Sequence, residues 1–196
     1  MGKIYCLMGK SSSGKDTIYK KLLERLPDRF KTIIPYTTRP IRNGETNGVE
    51  YYFRSIPEYL DLKEAGKVIE SRVYHTIHGD WYYFTADDGQ IDLEKHDYLI
   101  IMTPEGVLSL KKYFGNDKIL PIYIEVEDGL RLSRALERER RQQNPKYAEL
   151  CRRYLADEKD FSEENLSELS IAGRYQNEDL ETCISNIISD ITDTEY

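Results

Sequence analysis

The nonapeptide Gly9-Lys10-Ser11-Ser12-Ser13-Gly14-Lys15-Asp16-Thr17 has the residue types of an anion site. Gly9 and Gly14 let the main chain wrap closely enough to aim several N–H groups at one cluster of phosphate oxygens. Lys15 adds a full positive charge to the partial one of a helix N-terminus. An apolar run, Ile4-Tyr5-Cys6-Leu7-Met8, precedes the loop, and a helical pattern of Ile18, Leu22, Leu23 and Leu26 follows it. That order of strand, glycine-bounded loop and helix fits the phosphate-binding pattern G-x-x-x-x-G-K, with Asp16 where a hydroxyl residue usually stands. The alternative is a Ser/Gly-rich turn that binds nothing.

Two further cationic groups stand out. Arg39 and Arg42, three apart, can both reach one phosphate from a single turn, each gripping two oxygens. Gly44 and Gly48 permit the bends that follow. An exposed, solvated arginine pair is the alternative. The second group is Arg131, Arg134, Arg138, Arg140, Arg141, Arg152 and Arg153. Within it the alternation Glu137-Arg138-Glu139-Arg140 also fits an exposed helix laced by ion pairs. His75, His78 and Asp80 form a weak metal pattern with no cysteine or second carboxylate pair to complete a shell.

These groups need a scaffold. Apolar runs over 4–8, 98–102 and 119–126 predict buried parallel strands, with weaker candidates at 32–34 and 168–171. Helical patterns lie over 15–26, 105–114, 129–142 and 180–191. The alternation predicts an α/β fold, a doubly wound parallel sheet that binds ligands at the carboxyl ends of its strands. Residues 38–88 break the alternation: short tyrosine-rich strands at 51–53, 68–74 and 82–85 flank a helix at 57–65 that begins with Ser55 or Pro57. Pro145 is expected to open a second helix after a hinge in the arginine-dense stretch.

The chain has 196 residues, 39% of them hydrophobic, and a net charge of −7, enough for one α/β domain and unsuited to general nucleic-acid binding. No apolar stretch approaches the ~18–20 residues of a membrane span. Cys6, Cys151 and Cys183 lack metal spacing and are expected as free thiols in a cytoplasmic protein. The first strand begins so near Met1 that no secretory or transit peptide is expected.

The block Tyr36-Thr37-Thr38-Arg39-Pro40-Ile41-Arg42-Asn43-Gly44-Glu45-Thr46-Asn47-Gly48-Val49-Glu50-Tyr51-Tyr52-Phe53, taken with the glycine loop, resembles the guanylate kinases over nearly the whole chain. The resemblance implies a P-loop NTPase-type core (1–37, 89–128, 155–196), an inserted monophosphate-binding subdomain (38–88) and a helical lid (129–154). It implies transfer from ATP, with Mg²⁺, to GMP, giving GDP. Gly9, Ser11, Ser12, Ser13, Gly14, Lys15, Asp16, Thr17 and Asn177 would then bind the donor. Arg39, Arg42, Tyr51 and Tyr83 would hold the acceptor phosphate, and Glu70 and Thr85 the guanine edge. Arg138 or Arg140, together with Arg153, would neutralise the transferring group. Asn177 has turn or helix capping as its other role.

Three departures separate the chain from the family pattern. Pro35 replaces a serine, Ile101-Met102-Thr103 replaces an Asp-x-Asp pair, and one residue is inserted around Gly79-Asp80-Trp81. Trp81 and Tyr82 are candidates for an aromatic base wall or for core packing. Asp16, aided by Thr17, is the candidate Mg²⁺ ligand that offsets the lost strand-end acid; the alternative is a favourable first-turn acid on its helix. Expected partners are small-molecule nucleotides, with no nucleic acid or membrane, for a monomer or homodimer. Two other functions fit the same motifs: a P-loop kinase of another nucleotide or phosphorylated acceptor, and a non-catalytic binding module.

Overall fold

The run Ile4–Met8 is buried on both faces and forms the middle strand of a five-stranded parallel sheet. The computed structural model describes residues 2–42, 44–76 and 79–193. Its strands are β1 (Ile4–Met8), β2 (Phe30–Thr32), β3 (Tyr36–Thr37), β4 (Tyr52–Phe53), β5 (Val68–Thr76), β6 (Gly79–Ala86), β7 (Asp97–Ile101), β8 (Ile119–Glu125) and β9 (Gly173–Gln176). The helices are α1 (Lys15–Arg25), α2 (Ile56–Glu64), α3 (Pro104–Phe114), α4 (Asp128–Arg140), α5 (Tyr147–Asp160), α6 (Glu163–Ser167) and α7 (Leu180–Asp193).

The main sheet runs β2-β7-β1-β8-β9, with every neighbouring pair parallel. Strand alternation divides β1 between two cores. Ile4, Cys6 and Met8 pack with Val107 and Leu110 of α3 and with Phe161 and Leu166. Tyr5 and Leu7 pack with Ile18 and Leu22 of α1 and with Cys183, Ile184, Ile187 and Ile191 of α7. Each fully buried aliphatic side chain contributes roughly 1.5–3 kcal/mol, so this double layer fixes the end of β1 and the loop after it.

A second sheet, β4-β3-β6-β5, carries the tyrosine-rich segment. Its back packs on α2 through Tyr36, Tyr59, Phe84 and Ala86. Ser55 starts α2 with a capping box, its hydroxyl accepting from the Glu58 amide and Glu58 accepting from the Ser55 amide. Tyr82 stacks on Tyr59 with ring centroids 4.4 Å apart, so it belongs to this core and not to a base wall.

Several expectations shift. The weak strand at 32–34 lies instead at Phe30–Thr32, leaving Ile34 to donate its amide to Gln90 (2.8 Å). No strand forms at 168–171, because Ser170 takes a left-handed φ of 46° and breaks the extended run. Leu169 there is buried in the core, and its carbonyl accepts the Lys111 ammonium at 2.5 Å. Pro145 does not open α5, which begins at Tyr147. The turn before it is tied by buried Glu139, which accepts the Lys146 amide and the Gln142 side-chain amide. Glu139 is therefore an internal staple of that turn, not part of a solvated charge stripe.

Candidate active site

The glycine loop lies at the carboxyl end of β1. A methyl group on Gly9 would sit 2.5 Å from Ser13 Oγ and 2.9 Å from the Ile124 carbonyl, so only glycine lets the loop pass β8. Gly14 has φ 88°, and its absent side chain leaves room for Asn177. Ser12, at φ 66°, is held in a strained left-handed conformation. The Ser12 and Ser13 hydroxyl oxygens are buried without hydrogen-bond partners, as expected of a cradle shaped for a polar ligand.

Asn177 is 3% exposed and donates its side-chain amide to the Ser13 carbonyl at 2.7 Å. It braces the loop from beneath; it neither caps a helix nor points to open space. Lys15 opens α1, and burial lowers its pKa, while Asp16 and Asp157 raise it and Arg138 and Arg153 lower it further. Among the described residues no hydrogen bond or ion pair engages the Lys15 ammonium. Asp16 and Thr17 are exposed on the first turn of α1.

The two helices after β8 bring charge onto the loop. Asp157 of α5 accepts the Ser11 amide at 2.7 Å. Arg131, 2% exposed and 4.0 Å above the Tyr154 ring, pairs with Asp128, Asp157 and Glu158. Lys10 pairs with Glu158 at 2.8 Å and Asp128 at 3.4 Å. Glu127 caps α4 by accepting the Gly129 and Leu130 amides. Around a small cavity the structure assembles Ser11, Ser12, Arg138 and Arg153; Arg140, at the end of α4, is not part of that lining.

The arginine pair lies on the second sheet. Thr38 accepts the Tyr82 amide and donates its own amide to the Tyr82 carbonyl, fixing the chain as it enters Arg39. Arg39 is 4% exposed and grips Glu45 with both terminal nitrogens, at 2.7 and 2.5 Å. Its guanidinium lies 5.1 Å from the Tyr51 ring and 5.3 Å from that of Phe53, and its buried Nε has no partner. Hydrogen bonding to Arg39 first, and to the Arg42 amide, lowers the Glu45 carboxyl to about 2. Arg42 itself extends into solvent. Tyr51 and Tyr83 meet edge to face at 5.8 Å beside Arg39.

A β-bulge between Val68 and Glu70 turns Glu70 away from the α2 core and pairs it with Thr85 across the sheet. Thr85, buried, donates its hydroxyl to Glu70 at 2.9 Å. Burial raises the Glu70 pKa, the Thr85 bond and the Arg72 charge lower it, and the Glu105 charge raises it. At the end of β7 the lost acids are real losses: Met102 is buried and Thr103 caps α3.

His75 pairs with Asp80 at 2.7 Å, His78 and Asn43 lie outside the described residues, and no cluster of metal-ligating side chains forms among the described residues. Cys6 and Cys183 are buried and Cys151 is exposed, all as free thiols. The acids on α5 and the Arg39–Glu45 clamp were not anticipated. The clue to the first is the run Asp157-Glu158, and to the second Glu45 within the arginine block.

The chain as a whole is similar to known proteins. A curated guanylate kinase of Mycoplasma pneumoniae is 31% identical over 121 residues, 61% of this chain and 49% of that protein. One of Thermotoga maritima is 31% identical over 143 residues, covering 70% and 67%. One of Porphyromonas gingivalis is 29% identical over 189 residues, 95% of each. The matched stretch thus spans about half the length of the Mycoplasma relative and 61% of one from Salinibacter ruber. The fold matches the crystal structure of guanylate kinase from Anaplasma phagocytophilum with a TM-score of 0.60, at 20% identity, over 97% of this chain and 85% of that one. A family model described as guanylate kinase aligns with residues 1–187, spanning the glycine loop, the arginine block and the two helices after β8, and the chain belongs to the guanylate kinase family.

Proposed function

We propose that the chain is a nucleoside monophosphate kinase that transfers the γ-phosphoryl group of ATP to GMP. The observation that carries this reading is the gathering of Arg138 and Arg153 over Ser11 and Ser12, within charge range of Lys15. The core would comprise 1–37, 89–128 and 155–196, the acceptor insert 38–88 and the lid 129–154. No described helix is long and apolar enough to cross a membrane. With the charge of −7, that fits a cytoplasmic enzyme acting on small nucleotides as a monomer or homodimer.

The acceptor oxygen of a monophosphate is already anionic, so the site needs no strong general base. Catalysis is alignment and charge neutralisation. Loop amides and Lys15 hold the donor phosphates. Arg39, Arg42, Tyr51 and Tyr83 hold the acceptor phosphate, Glu70 and Thr85 orient the base, and Arg138 and Arg153 neutralise the group in transit. Arg138 is favoured over Arg140 because only the former lines the loop. Closing the lid over the insert would exclude water and limit hydrolysis.

The family implies Mg²⁺. It commonly takes one or two protein oxygens and completes its shell with phosphates and water, and the exposed Asp16 carboxylate beside Lys15, with the Thr17 hydroxyl, suits that demand. When bound, the cation would neutralise phosphate oxygens of the donor. Asp16→Ala should raise the Mg²⁺ concentration for half-maximal rate about tenfold in a Mg²⁺ titration; an unchanged requirement removes Asp16 from the metal site.

Asp157 occupies an amide that a phosphate oxygen would take, so donor binding must displace it. Asp157→Asn should tighten ATP binding about tenfold by calorimetry, or ~1.4 kcal/mol. Weaker binding would show that Asp157 supports the loop instead. The reading as a whole is tested by ADP release from Mg·ATP with GMP, dGMP, AMP, UMP or CMP. Saturable turnover with GMP and little with the others is expected; absence of turnover with GMP overturns it.

A further inference from the structure

Residues directly opposite each other in an antiparallel pair project from one face of the sheet. In the β5–β6 register Glu70 faces Thr85, Arg72 faces Tyr83 and Tyr74 faces Trp81. Arg72 therefore projects from the acceptor face, the next side chain after Glu70. The other face is taken by Ser71, whose hydroxyl bonds to Tyr59 of α2 at 3.0 Å, and by Tyr82 and Phe84. Side chains two apart on a strand are spaced about 6.6 Å, comparable to the edge of a purine from its 2-amino group to N7.

Arg72 does not lie loose on this face. Its guanidinium reaches across to the first turn of α3, where the Glu105 carboxylate lies 3.8 Å away. The pair bridges the second sheet to the end of β7, where Ile101 and Thr103 leave no acid. A cavity of about 650 Å³ opens there; Arg72, Tyr74, Thr103 and Glu105 are in its lining, together with Ser71 and Val73, while Glu70 and Thr85 stand outside it. That volume is within the range of small-molecule sites.

We propose that Arg72 is a specificity-determining residue of the acceptor site, donating to the O6 and N7 acceptors of guanine while Glu70 accepts from N1–H and the 2-amino group, and that Glu105 is the residue that positions it. The inference rests on the acceptor reading above. A guanidinium matches the O6/N7 edge bidentately, and such a pair discriminates by about 10- to 100-fold. Adenine offers N7 beside an amino donor, which repels the same guanidinium.

The test measures kcat/KM for GMP, for 7-deaza-GMP, which lacks N7, and for 6-thio-GMP, whose sulfur is a weaker acceptor. Wild type should disfavour both analogues. Arg72→Met should lose about 10- to 100-fold on GMP and treat all three nucleotides within about threefold, with KM for ATP unchanged. Glu105→Gln should raise KM for GMP several-fold at constant kcat, and Glu105→Asp should restore part of it. If wild type turns over GMP and Arg72→Met keeps its rate or its discrimination, Arg72 does not read the base. If wild type does not use GMP, the acceptor reading itself falls, and this inference with it.

Discussion

Replacing Lys15 by alanine should lower kcat/KM on the order of 10³-fold while leaving the circular dichroism spectrum and unfolding temperature near those of wild type. Lys15 stands at the first position of α1, and among the described residues nothing pairs with its ammonium. Removing it breaks no hydrogen bond or ion pair among the described residues and loses only the longer-range attraction of Asp16 and Asp157. It even relieves the unfavourable burial that depresses its pKa. The loss falls on the state in which negative charge accumulates on the transferring group, so kcat should drop more than ATP affinity. Rapid-quench measurement of single-turnover transfer would separate the two. A variant that turns over normally would place the donor phosphates elsewhere.

The glycine loop is legible from sequence because its chemistry is contiguous: strand, glycines, lysine and helix follow within residues 4–26. The Arg39–Tyr51 block is legible for the same reason. What escapes depends on contacts distant in sequence. Ser11 and Asp157 are 146 residues apart, and no local pattern says that an acid of α5 sits on a loop amide. Glu45 is visible in the block, but nothing beside it names its partner. The arginine pair reads as two equivalent cations, yet folding buries one against Glu45 and leaves the other in water. An apolar run stops being a strand where one backbone angle decides, as at Ser170. The bulge that aims Glu70 likewise has no sequence signature, since Val68-Ile69-Glu70 reads as ordinary strand.

The unequal state of the two arginines leads to the second large effect. Arg39→Lys should reduce kcat/KM for GMP by about 10²- to 10³-fold, mostly through KM, with KM for ATP little changed. Lysine keeps the charge but not the fork that holds Glu45 at two points and lies against the Tyr51 and Phe53 rings. Truncation to alanine confounds function with folding, because breaking a buried pair by removing one partner costs about 3–5 kcal/mol. Glu45→Gln supplies the control. If Glu45 only aims the guanidinium, the double variant Arg39→Lys/Glu45→Gln should be no worse than Arg39→Lys alone, since the second change then removes a partner already lost. If the pair is mere scaffolding, unfolding temperature will track both substitutions and KM for GMP and ATP will move together. Separation of the two KM values therefore decides whether the buried guanidinium faces a phosphate or only its carboxylate.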